Sequence, residues 1–318
     1  MKLSTQLVFL GALALITACG TSRPLDQGNA NNMKVFAPSA VASATQFLRG
    51  APVDLTGAVR FVQQSAAGNA RLGEQLAKIP GGIAQAFSRP QASLGTQAAG
   101  ADCGTKSIID ADGDGIPSFF DYTFDCIAAS YKGAAASLTG RVILKDQDDN
   151  DPNSGYDADV KDLTFMYTDN ASNSILLRIG YVARVRAAPS GKYRVSQDFK
   201  FFAEIDSNND DGQTAPDFST YEYAFNGELE YIPDPSSTAS TRFAKGQLKF
   251  VAKFNFKVAT ANQNYISELT FKSGGLQVNF PLCGRDSMVS GGSVRFTDGL
   301  NTLTWNVTGC GDGTWDYQ

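Results

Sequence analysis

YEYAFNGELEY, residues 221–231, decides the fold. Tyr221, Tyr223, Phe225, Leu229 and Tyr231 occupy alternate positions, and Glu222, Glu228 and Glu230 fall between them. Successive side chains of an extended strand point to opposite faces, whereas a helix, repeating every 3.6 residues, would scatter these aromatics around its circumference. The same alternation runs through QDFKFFAEI, residues 197–205, where Phe199, Phe201, Ala203 and Ile205 interleave with Asp198, Lys200 and Glu204. In QLKFVAKFNFKV, residues 247–258, Leu248, Phe250, Phe254, Phe256 and Val258 oppose Lys249, Lys253 and Lys257. Such alternation marks antiparallel strands with one face in the core and one in water.

Further strands are predicted near 139–145, 160–168, 175–186, 265–272, 276–280, 293–297 and 302–308. About ten strands joined by short turns give a mainly β chain: an antiparallel meander forming a barrel, a half-barrel or a sandwich. The outward glutamates of 221–231 and the outward lysines of 247–258 are expected to pair across neighbouring strands, so the lysine stripe is a solvated ladder and not a basic docking patch. The strands are preceded by a short helical N-terminal segment. Leu55, Val59 and Val62 share a helical face after Asp54, a predicted N-cap, and Leu72, Leu76 and Ile79 share another, stopped by Pro80-Gly81-Gly82.

The first twenty residues, MKLSTQLVFLGALALITACG, carry one positive charge at Lys2 and an apolar run from Leu7 to Ile16 too short to span a bilayer. Ile16-Thr17-Ala18-Cys19 resembles the lipobox of bacterial lipoproteins. That resemblance implies cleavage before Cys19 and its acylation, with palmitate-like chains as the membrane anchor. Several chains hold firmly where one does so only marginally. Gly20, in place of an aspartate, is similar to the pattern that permits sorting to the outer membrane. The expected organisation is a signal peptide at 1–18, an acylated tether at 19–32, short helices and a linker at 33–100, a disulfide-closed calcium-loop segment at 101–136 and a β-domain at 137–318. Removing residues 1–18 from 318 leaves 300, and losing Lys2 takes the net charge from −5 to −6. This acidic balance, with no basic cluster, argues against nucleic acid as a partner.

Beyond Cys19 the cysteines are Cys103, Cys126, Cys283 and Cys310. In an exported chain an even number suggests two disulfides. Three pairings are open; proximity favours Cys103–Cys126 and Cys283–Cys310, each worth about 3 kcal/mol in loop entropy. The chain has no histidine. That excludes serine–histidine and cysteine–histidine catalysis and histidine-ligated metals or haem.

DADGDGIPSFFD, residues 110–121, places oxygens at the positions a twelve-residue calcium loop uses: Asp110, Asp112, Asp114, the Ile116 carbonyl, Ser118 and Asp121, with Gly115 at the turn. The stretch resembles the calcium loops of the thrombospondin type 3 family over about a dozen residues, with Ser118 where that family has aspartate. Hard oxygen donors without nitrogen or sulfur suit calcium better than a transition metal. DQDDNDPNSGYD, residues 146–157, repeats the interval with Asp146, Asp148, Asn150 and Asp157. DSNNDDGQTAPD, residues 206–217, does so with Asp206, Asn208, Asp210 and Asp217. Both lie between predicted strands, where aspartate, asparagine and glycine also serve as turn formers. Like charges crowded in the first loop call for a cation, and calcium is expected there in a structural role.

The functional expectation is therefore a non-enzymatic, lipid-anchored cell-envelope protein whose calcium-stabilised β-fold supports or binds another envelope component. A β-barrel cavity carrying an apolar ligand, lipid or pigment, is the alternative, because the inward faces are rich in aromatics. A carboxylate-based hydrolase is remote: no acid pair stands apart from the turn and calcium motifs.

Overall fold

The computed structural model describes residues 33–34, 37, 40–41, 43–49, 109–131, 134–168, 173–207, 217–260, 263–299 and 301–317. The expectations for Cys19, the apolar faces of 55–79, Cys103, Asn208 and Asp210 fall outside those residues, as do the side chains of Cys126 and Asp217. The Cys103–Cys126 pairing lies outside them too.

Eleven antiparallel strands form one sheet in sequence order: β1 Phe119–Tyr131, β2 Ala134–Asp146, β3 Tyr156–Thr168, β4 Ser174–Ala188, β5 Lys192–Ser207, β6 Asp217–Pro233, β7 Lys245–Thr260, β8 Gln263–Asn279, β9 Val289–Thr297, β10 Thr302–Val307 and β11 Gly313–Tyr317. β1 and β11 are its two edges, so the sheet does not close. Of the three architectures expected, one continuous unclosed sheet leaves the half-open form; the closed barrel and the two-sheet sandwich are both corrected. Twisted strands in this number do not stay flat, and the sheet curls about its apolar side.

The residues that alternate in the sequence alternate in space. Phe199, Phe201, Tyr221, Tyr223, Phe225, Phe254 and Phe256 are all buried on one side in a single core. Outside, Glu222 faces Lys257 and Glu230 faces Lys249 in register. Their ion pairs span 3.0 and 3.7 Å. Lys253 departs from the expected ladder: Asn226 lies opposite it, and it reaches Glu268 of β8 at 3.5 Å instead.

Three sequence boundaries shift. β1 lies inside the segment assigned to the calcium loop, and its Phe120, Tyr122 and Phe124 are buried. The strands predicted at 265–272 and 276–280 are one, because Gly274-Gly275 makes an irregularity in register with both neighbours and not a turn. A helix, α1 (Phe280–Ser287), joins β8 to β9. Its Cys283 is bonded to Cys310 between β10 and β11, stapling the last hairpin to the sheet as proximity suggested.

The inner face is covered at one end by the N-terminal segment. Met33, Ala37, Ala40, Val41 and Ala44 are helical and buried, and a 3-10 turn, Gln46–Arg49, follows with Phe47 and Leu48 buried. The small alanines let the helix approach closely. Phe47 packs edge-on against Tyr231 and Phe243. Tyr156 Oη donates to the Phe47 carbonyl, and Gln197, the one inward amide of β5, donates to the Ser43 carbonyl. These bonds give Tyr156 Oη and Gln197 Nε2 partners away from water.

Candidate metal centre

The turns 147–155, 189–191 and 234–244 lie at one rim of the sheet, because strands alternate in direction; the C-terminal ends of β3 and β5 lie at the other. The first two acidic loops meet at the former rim. Of the third, Asp206 does not join them: it lies one residue before the end of β5, in register with Ser174 and Phe218, at the far rim.

The loop at 110–118 is held by its own aspartates. Asp110 accepts the backbone N–H groups of Gly113 and Gly115, both at 2.9 Å; Asp112 accepts that of Asp114 at 3.1 Å and Asp114 that of Ile116 at 2.6 Å. Each is a side chain folding back on the following residues, the turn chemistry that suits aspartate. Gly113 and Gly115 have φ of 75° and 88°, the left-handed region that glycine enters without strain. Ile116 is buried and anchors the loop in the core.

The second loop locks onto the first. The Asp146 N–H donates to the Pro117 carbonyl, the Ala111 N–H to Asp149 Oδ1, and the Ser118 hydroxyl to Asp149 Oδ2. The result is a cluster of Asp110, Asp112, Asp114, Asp146 and Asp149 that could hold a metal ion. It divides into two triads sharing Asp112: Asp110, Asp112 and Asp114, and Asp112, Asp146 and Asp149. In each triad the ligand oxygens lie within 4.8 Å of one another.

The triads differ in how their oxygens are satisfied. In the first, Asp114 already has a cation: Arg242, from the β6–β7 connection, meets it at 2.5 Å, with the two side chains 4% and 0% exposed. The Arg242 guanidinium also donates to the carbonyls of Pro152, Ala239 and Ser154 and lies 5.0 Å from the Phe243 ring centre. Both Asp110 oxygens are committed to backbone donors. In the second triad, Asp146 is only 4% exposed; its Oδ1 accepts from the Ser154 hydroxyl, while its Oδ2, like Oδ2 of Asp112, is buried with no hydrogen-bond partner. Buried acceptors normally have partners, so two orphaned oxygens in one triad point to a missing donor or cation. Burial raises the Asp112 carboxyl above its ordinary range, and the neighbouring negative charges add to this. Burial raises Asp114 as well, opposed by the hydrogen bond from Arg242.

Several predicted ligands are engaged elsewhere. Asp121 lies in β1 and is bound through both oxygens by Arg141, at 2.8 and 2.6 Å, so the twelfth position of the loop motif is not in the cluster. Asp157 pairs with Arg186 at 2.6 Å on the outer face. Asp148 and Asn150 hydrogen-bond to each other within their turn. Ser118 serves the cluster indirectly, through Asp149. Two functional residues were missed by spacing alone. Asp149 sits at the fourth position of its loop, which the calcium register does not use, and Arg242 is a single arginine in a turn with no motif around it.

Comparison of the chain with protein-family models, with curated proteins and with solved structures finds no match.

Proposed function

We propose that the protein is a lipid-anchored envelope protein whose half-open sheet is fastened at one rim by a calcium ion, and that it supports or binds another envelope component instead of turning over a substrate. The observation that carries the reading is Asp146: a carboxylate almost wholly withdrawn from water, with an unpartnered oxygen, beside Asp112 and Asp149. Three carboxylates with waters completing the shell suit calcium, which tolerates irregular oxygen cages; magnesium demands a near-ideal octahedron. A cation bound by the folded state alone stabilises it by mass action. It would also hold the loop at 110–118 to the β2–β3 turn, and so the edge strand β1 to the sheet. The anchor rests on the ITAC motif, with Cys19 as the acylated residue.

Calorimetric titration of the acylated chain with calcium, after stripping with chelator, tests the cation. Saturable binding and a higher melting temperature are expected, both weakened about tenfold or more in affinity terms by Asp146→Asn, which removes one ligand charge. No heat of binding and an unchanged melting temperature would overturn the reading. Mass analysis of the N-terminal peptide, with Cys19→Ser as control, tests the anchor. The carrier alternative requires the buried residues between Met33 and Leu48 to leave the inner face, and lipid extraction of the purified protein tests that separately.

A further inference from the structure

On its outer face the sheet carries a hollow of about 400 Å³ spanning β4 to β7. Gly180, in the interior of β4, lines it. Nothing in the fold requires glycine there. Its φ is not in the left-handed region, and an added Cβ would meet only the Lys200 Cβ, at an ordinary 3.9 Å. The β3 segment opposite Gly180 is irregular: Val160 pairs with Tyr181 and Leu163 with Ile179, leaving Lys161 and Asp162 as a bulge, with Asp162 at a φ of 47°. Yet no atom of that bulge lies within 4 Å of the added Cβ. A glycine inside a strand weakens it, and such a residue commonly marks a place where another backbone or a ligand comes close. Among the described residues no backbone does so.

The walls identify what fits. Gly180, Lys200, Ala224 and Asn255 form one row across the four strands, and Arg178, Phe202, Glu222 and Lys257 form the next. Glu222 and Lys257 neutralise each other at 3.0 Å. Arg178 lies 6.0 Å from the centre of the half-buried Phe202 ring. Neither Arg178 nor Lys200 makes an ion pair among the described residues, although the outward lysines of β7 all do. Two free cations, an aromatic face, a side-chain amide and the Asp162 carboxylate therefore surround one shallow space. Free cations favour a carboxylate or phosphate by charge-assisted hydrogen bonds. The ring favours the C–H face of a flat apolar surface, and the amide and carboxylate favour hydroxyl groups. A wholly apolar guest would strip water from the cations without replacing it. A nucleic acid would need a basic track, which Asp162 and Glu222 interrupt.

We propose that this hollow binds one ring of an acidic saccharide, its anionic group on Arg178 and Lys200 and its ring against Phe202. The hollow shares no residue with the aspartate cluster, so the proposal stands independently of the calcium reading.

Titration of the acylated chain in detergent with trigalacturonate at low ionic strength tests it. Saturable binding that weakens as salt is raised is expected. Gly180→Leu, whose Cβ makes only an ordinary contact with Lys200 and whose branch enters the hollow, and Lys200→Gln should each weaken binding by about tenfold or more. Lys249→Gln, outward on β7 and outside the hollow, should leave it unchanged. Lys200 is exposed, so its variant keeps the test available if Gly180→Leu alters the fold, which its melting temperature would report. Absence of binding, equal binding of a neutral trisaccharide, or indifference to both hollow variants would overturn the proposal. So would binding of phosphatidylglycerol vesicles, in place of the saccharide, with the same dependence on Lys200.

Discussion

Replacing Arg242 by methionine removes the guanidinium, which also lies over the Phe243 and Tyr193 rings, and keeps most of the aliphatic stem. Asp114 is left with its side chain fully buried and its Oδ2 without a partner, while Oδ1 keeps the Ile116 N–H. Breaking a buried ion pair by deleting one member costs about 3–5 kcal/mol, because the other charge stays desolvated. For a chain of this size each kcal/mol lowers the melting temperature by about 2–4 °C, so a fall of about 6–20 °C is expected in chelator. Adding Asp114→Leu removes the stranded charge and should bring the double variant to within about 1.5 kcal/mol of the parent, since apolar groups can replace a buried pair at little cost. A second consequence is specific to this site. Without Arg242, the triad of Asp110, Asp112 and Asp114 lacks its resident cation, so calcium should recover more of the melting temperature in the single variant than in the parent. Circular-dichroism melts of the parent, both single variants and the double variant, with and without calcium, measure all of this. A single-variant cost below about 1 kcal/mol, or additive costs in the double variant, would refute the assignment of Arg242 as the internal counter-ion.

Three further outcomes follow from the same geometry. Asp112 and Asp114 have carboxyls raised in the folded state, so the stability they give without metal is fully present below the ordinary carboxylate range near about pH 3.9 and is lost as pH rises through their raised values. Calcium competes with those protons, and the gap in melting temperature between calcium and chelator should widen from pH 4 towards neutrality; a gap constant with pH contradicts the site. Gly155→Ala would place a Cβ 1.9 Å from the Val185 carbonyl oxygen, a backbone clash expected to cost about 3 kcal/mol in urea unfolding, whereas Gly274→Ala meets nothing within 4 Å and should be close to neutral. Reduction of the Cys283–Cys310 bond, which spans 27 residues, should lower stability by about 3.5 kcal/mol in loop entropy, read as a lower denaturant midpoint under dithiothreitol.

The sheet was legible in the sequence wherever one face is wet and the other dry. Glu222, Glu228 and Glu230 alternate with aromatics because water and core alternate along β6, and that contrast survives in one dimension. β1 was hidden because Phe119 and Asp121 also fit the end of a metal-loop pattern, and pattern alone does not say that Arg141 claims the Asp121 carboxylate. Gly274-Gly275 reads as a turn by composition; only the register of both neighbouring strands makes it a bulge. For the aspartate cluster, the spacing of 110, 112 and 114 was visible, but the pairing of that loop with Asp146 and Asp149 is a tertiary event. Such convergence leaves no periodicity behind. Arg242 shows the limit most clearly: it lies 128 residues from the carboxylate it neutralises, and no local rule links them.

The buried residues described between 33 and 49 have a consequence for the order in which the molecule is made. Every strand pairs with the strand before it, so hairpins can form one after another as the chain is delivered. Ser43 and Phe47 find their partners much later in the sequence, in Tyr156, Gln197 and Tyr231. A chain synthesised from its N-terminus therefore holds these residues undocked until β6 has been made, and a chain halted earlier would leave its buried alanines and Phe47 uncovered.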